Sequence, residues 1–240
     1  MSALRLFFLG ALALCLSACA TPEVPFDKTS AGIQRVGLLT PGFPSGPSVL
    51  LASDPGQSFG LVGALVDAGL QADRDSHLKA IFIGNGFEPI NDFWGDLLAQ
   101  LQTDGYAVTA VPASRDRSDF LKQLPSSPAP VDAYLDVVVE NYGYMAAGIG
   151  GGNPYRPFLI LRCRLVRASD SAVLMQDRIA VNALNQGGGG WGAPKLVTIS
   201  PDPAFSFSGM DELKASPKQV VDGAKSSFQQ STGAIGKLLK

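Results

Sequence analysis

The sequence predicts an α+β fold: one mixed β-sheet with helices packed mainly on one face. Three observations carry the prediction. Segments of strand and helix periodicity follow one another in the order strand, helices, strand, helix, strand, hairpin, helix. The second half of the chain is rich in alternating apolar and polar runs bounded by turn residues. Composition is globular, with 46% hydrophobic and 17% charged residues in a chain of 240, enough for one good domain or at most two small ones.

Residues 1–5 form a short positive start carrying Arg5, and residues 6–16 follow without a charge. An apolar run of roughly 7–15 residues behind a positive start is the h-region of an export signal. It is too short to span a bilayer, which needs about 20 apolar residues. Leu16-Ser17-Ala18-Cys19 comes next and resembles the lipobox of bacterial lipoproteins. Ser17 and Ala18 are small enough for a signal-peptidase site, and the Cys19 thiolate is the strong nucleophile that diacylglyceryl transfer needs. The resemblance implies cleavage before Cys19, a thioether-linked lipid on its sulfur, and acylation of the new amine. It divides the chain into a signal peptide at 1–18, a lipidated cysteine and tether at 19–30, and a single periplasmic domain at 31–240. Ala20 stands where Asp favours inner-membrane retention in that family, which points to the outer membrane. Several acyl chains, at about 0.8 kcal/mol per buried methylene, anchor stably where one does not. The stretch 20–30 is polar with Pro22 and Pro25, and would reach about 36 Å when extended.

Residues 34–39 (QRVGLL) read as the first strand and 48–52 as a short second one, joined by the Gly/Pro loop 42–47. Residues 59–70 are the most apolar stretch after the signal and read as a helix running on towards Leu78. Gly60, Gly63, Ala64 and Ala68 give it a small-residue face. At about 12 residues, with Asp67 inside, it does not span a membrane. It either packs against the domain or offers a surface to a partner or to the bilayer. Residues 91–103 read as a helix with Trp94, Leu97, Leu98 and Leu101 on one face, Asn91 as its cap and Asp92 in its first turn. Gly105 ends it. Residues 106–111 read as a strand, 114–124 as a short helix and 125–130 as a Pro/Ser loop.

Residues 133–144 alternate. Ala133, Leu135, Val137 and Val139 fall on one side, and Asp132, Tyr134, Asp136, Glu140 and Tyr142 on the other. Residues 158–167 and 173–181 form a hairpin around Ser169-Asp170-Ser171. A three-residue loop sets Leu165, Leu161 and Leu159 opposite Met175, Ile179 and Val181, whereas a two-residue loop would face them with Gln176, Arg178 and Ala180. After a Gly-rich segment, Ser216 caps a C-terminal helix with Pro217 in its first position and Val221, Ala224, Phe228, Ile235 and Leu238 as its stripe. In element order over 34–240, and chiefly in the helix–Gly105–strand at 97–106, the strand at 133–144 and the hairpin at 158–181, the chain resembles a known envelope domain. That domain stands at the N-terminus of TolB and in lipoproteins such as the penicillin-binding-protein activators and the curli secretion lipoprotein. The resemblance implies the sandwich fold alone and carries over no functional residue.

Several chemistries are disfavoured by residue supply. The formal charge of −2 leaves no basic excess to neutralise phosphates, so nucleic acid is not an expected partner. With Cys15 removed and Cys19 lipidated, Cys163 has no partner for an intramolecular disulfide. His77 is the sole histidine, no G-x-S-x-G elbow is present, and Asp73, Arg74, Asp75 and Lys79 around it read as solvated helix surface. One His and one Cys cannot satisfy zinc, so neither a metal nor another cofactor is expected. Cys163, between Leu161 and Leu165, reads as a core thiol. Glycines at 187–192 meet G-x-G-x-x-G trivially but lead into an extended segment, and those at 148–152 are followed by Asn153-Pro154. Both read as loops rather than phosphate cradles.

The candidate binding residues are Tyr134, Asp136 and Tyr142 on the polar row, because tyrosines beside acids suit glycan or protein recognition, and Trp191, an aromatic in a loop that can anchor a partner. The same row admits other readings: the solvated outer face of a sheet, or Asp132 and Asp136 as the acid and base of a small cell-wall hydrolase. The Asp92/Asp96 pair is a weaker candidate because Asp92 already suits the helix start. The leading expectation is a non-enzymatic periplasmic module, held on the outer membrane through Cys19, that binds or assembles with an envelope protein. The hydrolase is one alternative, and a subunit of an oligomeric export assembly is another.

Overall fold

Long alternating strands need neighbours on both sides, and the sheet is built around the longest of them. The computed structural model describes residues 23–51, 60–115, 119–146, 153–182 and 196–240, with the backbone alone at 60–68. The elements are α1 (Lys28–Ala31), β1 (Arg35–Leu39), β2 (Ser48–Leu51), α2 (Gly60–Gly84), α3 (Pro89–Thr103), β3 (Ala107–Val111), β4 (Ala133–Ala146), β5 (Tyr155–Arg167), β6 (Val173–Val181), β7 (Val197–Ile199), α4 (Met210–Ala215) and α5 (Pro217–Leu238). The described strands form one sheet in the order β3-β1-β4-β5-β6-β7, with β2 also on β4. It is mixed: β4, β5 and β6 pair antiparallel, while β1–β3, β1–β4, β2–β4 and β6–β7 are parallel. The α+β single-sheet architecture expected from the sequence is the one observed.

β1 and β2 run along the same edge of β4. Val36 pairs with Ala133, Gly42 with Val138 and Ser48 with Gly143, so the two strands are successive parts of one interrupted course. Gly143 has φ +140, and a Cβ there would lie 2.0 Å from the Ser48 carbonyl oxygen. Only glycine permits that approach.

One face of the sheet receives the helices. Phe93, Leu97 and Leu101 of α3, and Val220, Ala224, Phe228 and Ile235 of α5, are buried in one cluster with Leu135, Val137, Leu161 and Leu165. Full burial of each large apolar side chain contributes about 1.5–3 kcal/mol, so the α3 and α5 stripes fix the helix layer. Two tyrosines tie it down further: Tyr144 Oη donates to Val220 O at 2.7 Å, and Tyr106 Oη to Leu239 O at 2.5 Å. On the opposite face, Leu39, Val111 and Tyr134 form a smaller core with Ala113, Leu121, Leu124 and Val131 from the segment after β3.

The hairpin register is as expected: Leu159, Leu161 and Leu165 face Val181, Ile179 and Met175. It is reached differently. Arg167 N–H donates to Ala172 O, which leaves four residues in the turn, with Ser171 at φ +60, and a bulge at Leu174 restores the pairing. α3 begins earlier than expected, at Pro89 after Glu88, and Asn91 lies inside it donating to Glu88 Oε2. α2 runs past Leu78 to Gly84. Ser216 precedes Pro217 as expected, yet its carbonyl, not its hydroxyl, takes the Val220 N–H.

Three expectations are corrected. Residues 112–115 and 119–131 are irregular rather than a helix at 114–124, because Leu121 N–H bonds to Asp136 and Leu121 O to Arg164, both rising from the sheet, while Asp119 O is taken by Arg115 of the segment itself. Tyr142 leaves the polar row, because a bulge between Val139 and Asn141 turns it to the helix face. The stretch 20–30 is not free along its length: Val24 pairs with Gln176, and Asp27 caps α1. Cys19, both glycine-rich segments and Trp191 lie outside the described residues, as do the side chains at 59–68.

Candidate functional site

The loop between β1 and β2 builds one wall of a groove. Phe43 packs edge-on against Tyr142 at 5.5 Å and Phe93 at 5.8 Å, and Pro44 to Pro47 continue the wall. The other wall is the α2–α3 corner. Gly86 takes φ +64 to turn the chain, and Phe82 and Phe87 meet at 4.8 Å in a T-shaped pair beneath it. Ile83 is 68% exposed and Ile90 43%, and both border the groove. Two large exposed aliphatic side chains at the rim of an aromatic-floored groove are the least expected apolar surface of the described residues. The groove encloses about 210 Å³. That is smaller than the roughly 300–1,000 Å³ of small-molecule pockets, and it suits one anchoring side chain of a protein partner.

Two polar groups stand in this apolar setting. Tyr142 is buried, and that burial pushes its ionisation up to about 12. At neutral pH it is therefore an intact O–H donor. Lys79 lines both the groove and an adjoining polar depression with Asp75, Ser76, Glu140 and Asn141. The arrangement can receive an apolar side chain between Phe43 and Ile83, with an oxygen acceptor near Tyr142 or a carboxylate near Lys79. Sequence reasoning singled out Tyr142 but on the wrong face, and it missed Ile83 and Ile90. Their signal was present, as Ile81-Phe82-Ile83 and Pro89-Ile90 flank Asn85-Gly86.

The other row residues are structural in this geometry. Tyr134 is 7% exposed, in the small core with Leu39 and Val111. Asp136 is fully buried and accepts from Arg115 Nη2 at 2.5 Å, Arg164 Nη2 at 3.1 Å and Leu121 N–H at 2.9 Å. Neither reaches the surface a partner would touch. Arg115 also donates to Thr40 O at 2.8 Å and Asp119 O at 2.9 Å. Glu140 bridges Arg162 and Arg178, both at 2.7 Å, and the Phe120 ring lies 5.0 Å from Arg162 and 4.5 Å from Arg164. Asp132 accepts from Arg35 Nε at 3.0 Å and from the N–H groups of Gln34 and Arg35, and Arg35 first among these holds its carboxyl down at about 2.

Asp132, just before β4, and Asp136, within it, sit four residues apart, about 13 Å at strand rise. Carboxyl pairs that cleave glycosides stand roughly 5–9.5 Å apart. Here each carboxylate is occupied by an arginine instead. Asp96 is pushed up by burial and then by Asp92, and lies in α3 rather than in the groove. His77 is on the exposed side of α2, its Nδ1 2.8 Å from Asp73 O. Cys163 is fully buried, and burial raises its thiol far above the range where a thiolate forms, so it is inert. Among the described residues no group of His, Cys, Asp and Glu could hold a metal ion, and no helix is long and apolar enough to cross a membrane.

No family model matches the chain, and no curated protein does. Several solved structures match it at low similarity. A protein of the family DUF330 from Xanthomonas campestris is 12% identical, with 86% of this chain and 84% of that one covered and a TM-score of 0.42. The PelC dodecamer of Paraburkholderia phytofirmans is 9% identical over 83% and 86%, with a TM-score of 0.31. The lipoprotein GNA1162 of Neisseria meningitidis is 14% identical over 66% and 89%, with a TM-score of 0.21. None is similar enough for its assembly or chemistry to be transferred.

Proposed function

We propose that this chain is a lipid-anchored, non-catalytic module of a bacterial envelope that docks a partner protein through the Phe43–Tyr142–Ile83 groove. The anchor is Cys19, behind its lipobox-like Leu16-Ser17-Ala18, and Ala20 favours the periplasmic face of the outer membrane. The observation that carries the docking half is the exposure of Ile83 and Ile90 over a floor formed by Phe43, Phe82, Phe87 and Tyr142. The occupant is one apolar side chain of an envelope protein with an acidic group beside it, matched to Lys79. Such anchors carry most of the energy of a small interface.

A photoreactive residue at Ile83, in intact cells, tests the groove, with one at exposed Lys218 as control. A single adduct species from Ile83 and not from Lys218, lost in Tyr142→Ala, supports it. Equal adducts at both positions, or none, overturn it. An adduct made of two copies of this chain would assign the groove to self-assembly and overturn the hetero-partner reading. Cys19→Ser tests the anchor: the protein leaves the membrane fraction and the acyl label is lost, and retention of both refutes it.

A further inference from the structure

The N-terminal segment is fastened to one edge of the sheet. Val24 and Gln176 exchange backbone hydrogen bonds of 2.8 and 2.9 Å on the outer edge of β6. Asp27 then accepts from Thr29 and Ser30 N–H at 3.0 and 3.1 Å to cap α1, and Lys28 Nζ stands 4.7 Å over the Tyr106 ring. The chain is thus held to the domain from Val24 onward. Five residues lead from Cys19 to Val24, and fully extended they span at most about 17 Å.

The sheet is wider than that. A single row runs Met175–Leu165–Leu135–Leu38–Ala110, from β6 to the far edge strand β3. Four strand spacings make about 19 Å. A tether of the full 20–30 stretch would let any surface reach the bilayer, whereas five residues from a fixed edge do not. We infer that the β6–β7 edge is the membrane-facing surface of this domain, seated against phospholipid headgroups, and that the β3 edge is turned to the periplasm. This rests on Cys19 carrying the lipid. Val173, an apolar side chain 39% exposed at the start of β6, stands on that edge, three residues from the Val24 clamp. The clamp also closes part of the edge of β6 that would otherwise offer unpaired backbone groups.

Cys163 is fully buried, so a surface cysteine takes a thiol-reactive fluorophore selectively. The test uses full-length acylated protein bearing Val173→Cys, Thr198→Cys or Ala110→Cys, each at an exposed or half-exposed position. It is reconstituted in phosphatidylethanolamine/phosphatidylglycerol vesicles containing a nitroxide-headgroup lipid. Labels at Val173 and Thr198 are quenched severalfold more than the label at Ala110. A long Gly/Ser insertion after Ala20 removes the difference. Equal quenching, or stronger quenching at Ala110, overturns the orientation when mass spectrometry finds acyl groups on Cys19. If Cys19 is unacylated, the anchor reading itself falls and takes the orientation with it.

Discussion

Asp136→Asn is expected to be the most damaging charge change in the domain. The carboxylate is fully buried and faces Arg115, whose side chain is 7% exposed, and Arg164, at 19%. An amide of the same shape leaves both guanidinium groups without a counter-charge, and breaking a buried pair in this way costs about 3–5 kcal/mol. For a domain of this size each kcal/mol moves Tm by roughly 2–4 °C, so a fall of about 6–20 °C is expected. The loss is local as well as global, because Leu121 N–H loses a charged acceptor and the covering segment loses its main tie to β4. Urea melts followed by circular dichroism give the stability change, and limited proteolysis reports release of the 119–131 segment. Combining the change with Arg115→Met closes a double-mutant cycle. The double variant is expected to lose at least about 1 kcal/mol less than the two single losses added together. If Asp136→Asn lies within about 1 kcal/mol of the parent with an unchanged m-value, the network does not hold the segment and the reasoning is wrong.

Three further outcomes follow from particular contacts. Gly143→Ala drives a Cβ into the Ser48 backbone and forces a side chain to φ +140; a cost of about 3 kcal/mol or more is expected, read as a lowered urea midpoint, and a neutral result would contradict the β2–β4 register. Asp132, held at about 2 by Arg35 and backbone donors, gives stability that is complete above its ordinary value near 3.8 and is lost as pH falls towards 2. With Arg35 half-exposed that amounts to about 1–2 kcal/mol, absent in Asp132→Asn, so a pH series in which parent and variant run parallel down to pH 2 would refute it. Asp177 is shifted the other way, raised by burial first and by Glu23; its ionisation costs stability as pH rises above the ordinary carboxylate range. Asp177→Asn is therefore expected to raise Tm at pH 7 and to change nothing well below pH 4, and a lower Tm at pH 7 would count against that assignment.

The sequence was most informative where one face of an element is buried. The α3 stripe, the α5 stripe and the hairpin register follow from apolar spacing, because a slip of one residue would expose every leucine of β5. Periodicity misled where an element meets two environments. Residues 133–144 alternate as if one side were solvated, but that side carries Asp136 beneath a covering segment, and the bulge at Glu140 reverses the parity from there on. The helix expected at 114–124 has acceptable helix residues, yet Leu121 N–H and Leu121 O are satisfied by Asp136 and Arg164 of the sheet, which its own spacing does not reveal, and Arg115 turns back on Asp119 O. The groove was half legible: Tyr142 stood out as an aromatic beside acids, whereas Ile83 and Ile90 become a surface only once α2 and α3 turn at Gly86.

The wall formed by residues 43–47 is a detour in an otherwise continuous strand course, pinned by Gly42 on Val138 at one end and by Ser48 on Gly143 at the other. Five residues, two of them proline, have little conformational freedom left to surrender when something lodges beside them. A visiting side chain therefore meets a mould that is already cast, and discrimination between an aliphatic and an aromatic visitor falls to the fit itself rather than to adjustment. Any plasticity must come from the opposite bank, where Ile83 and Ile90 project from the end of α2 and the start of α3 on either side of the turn.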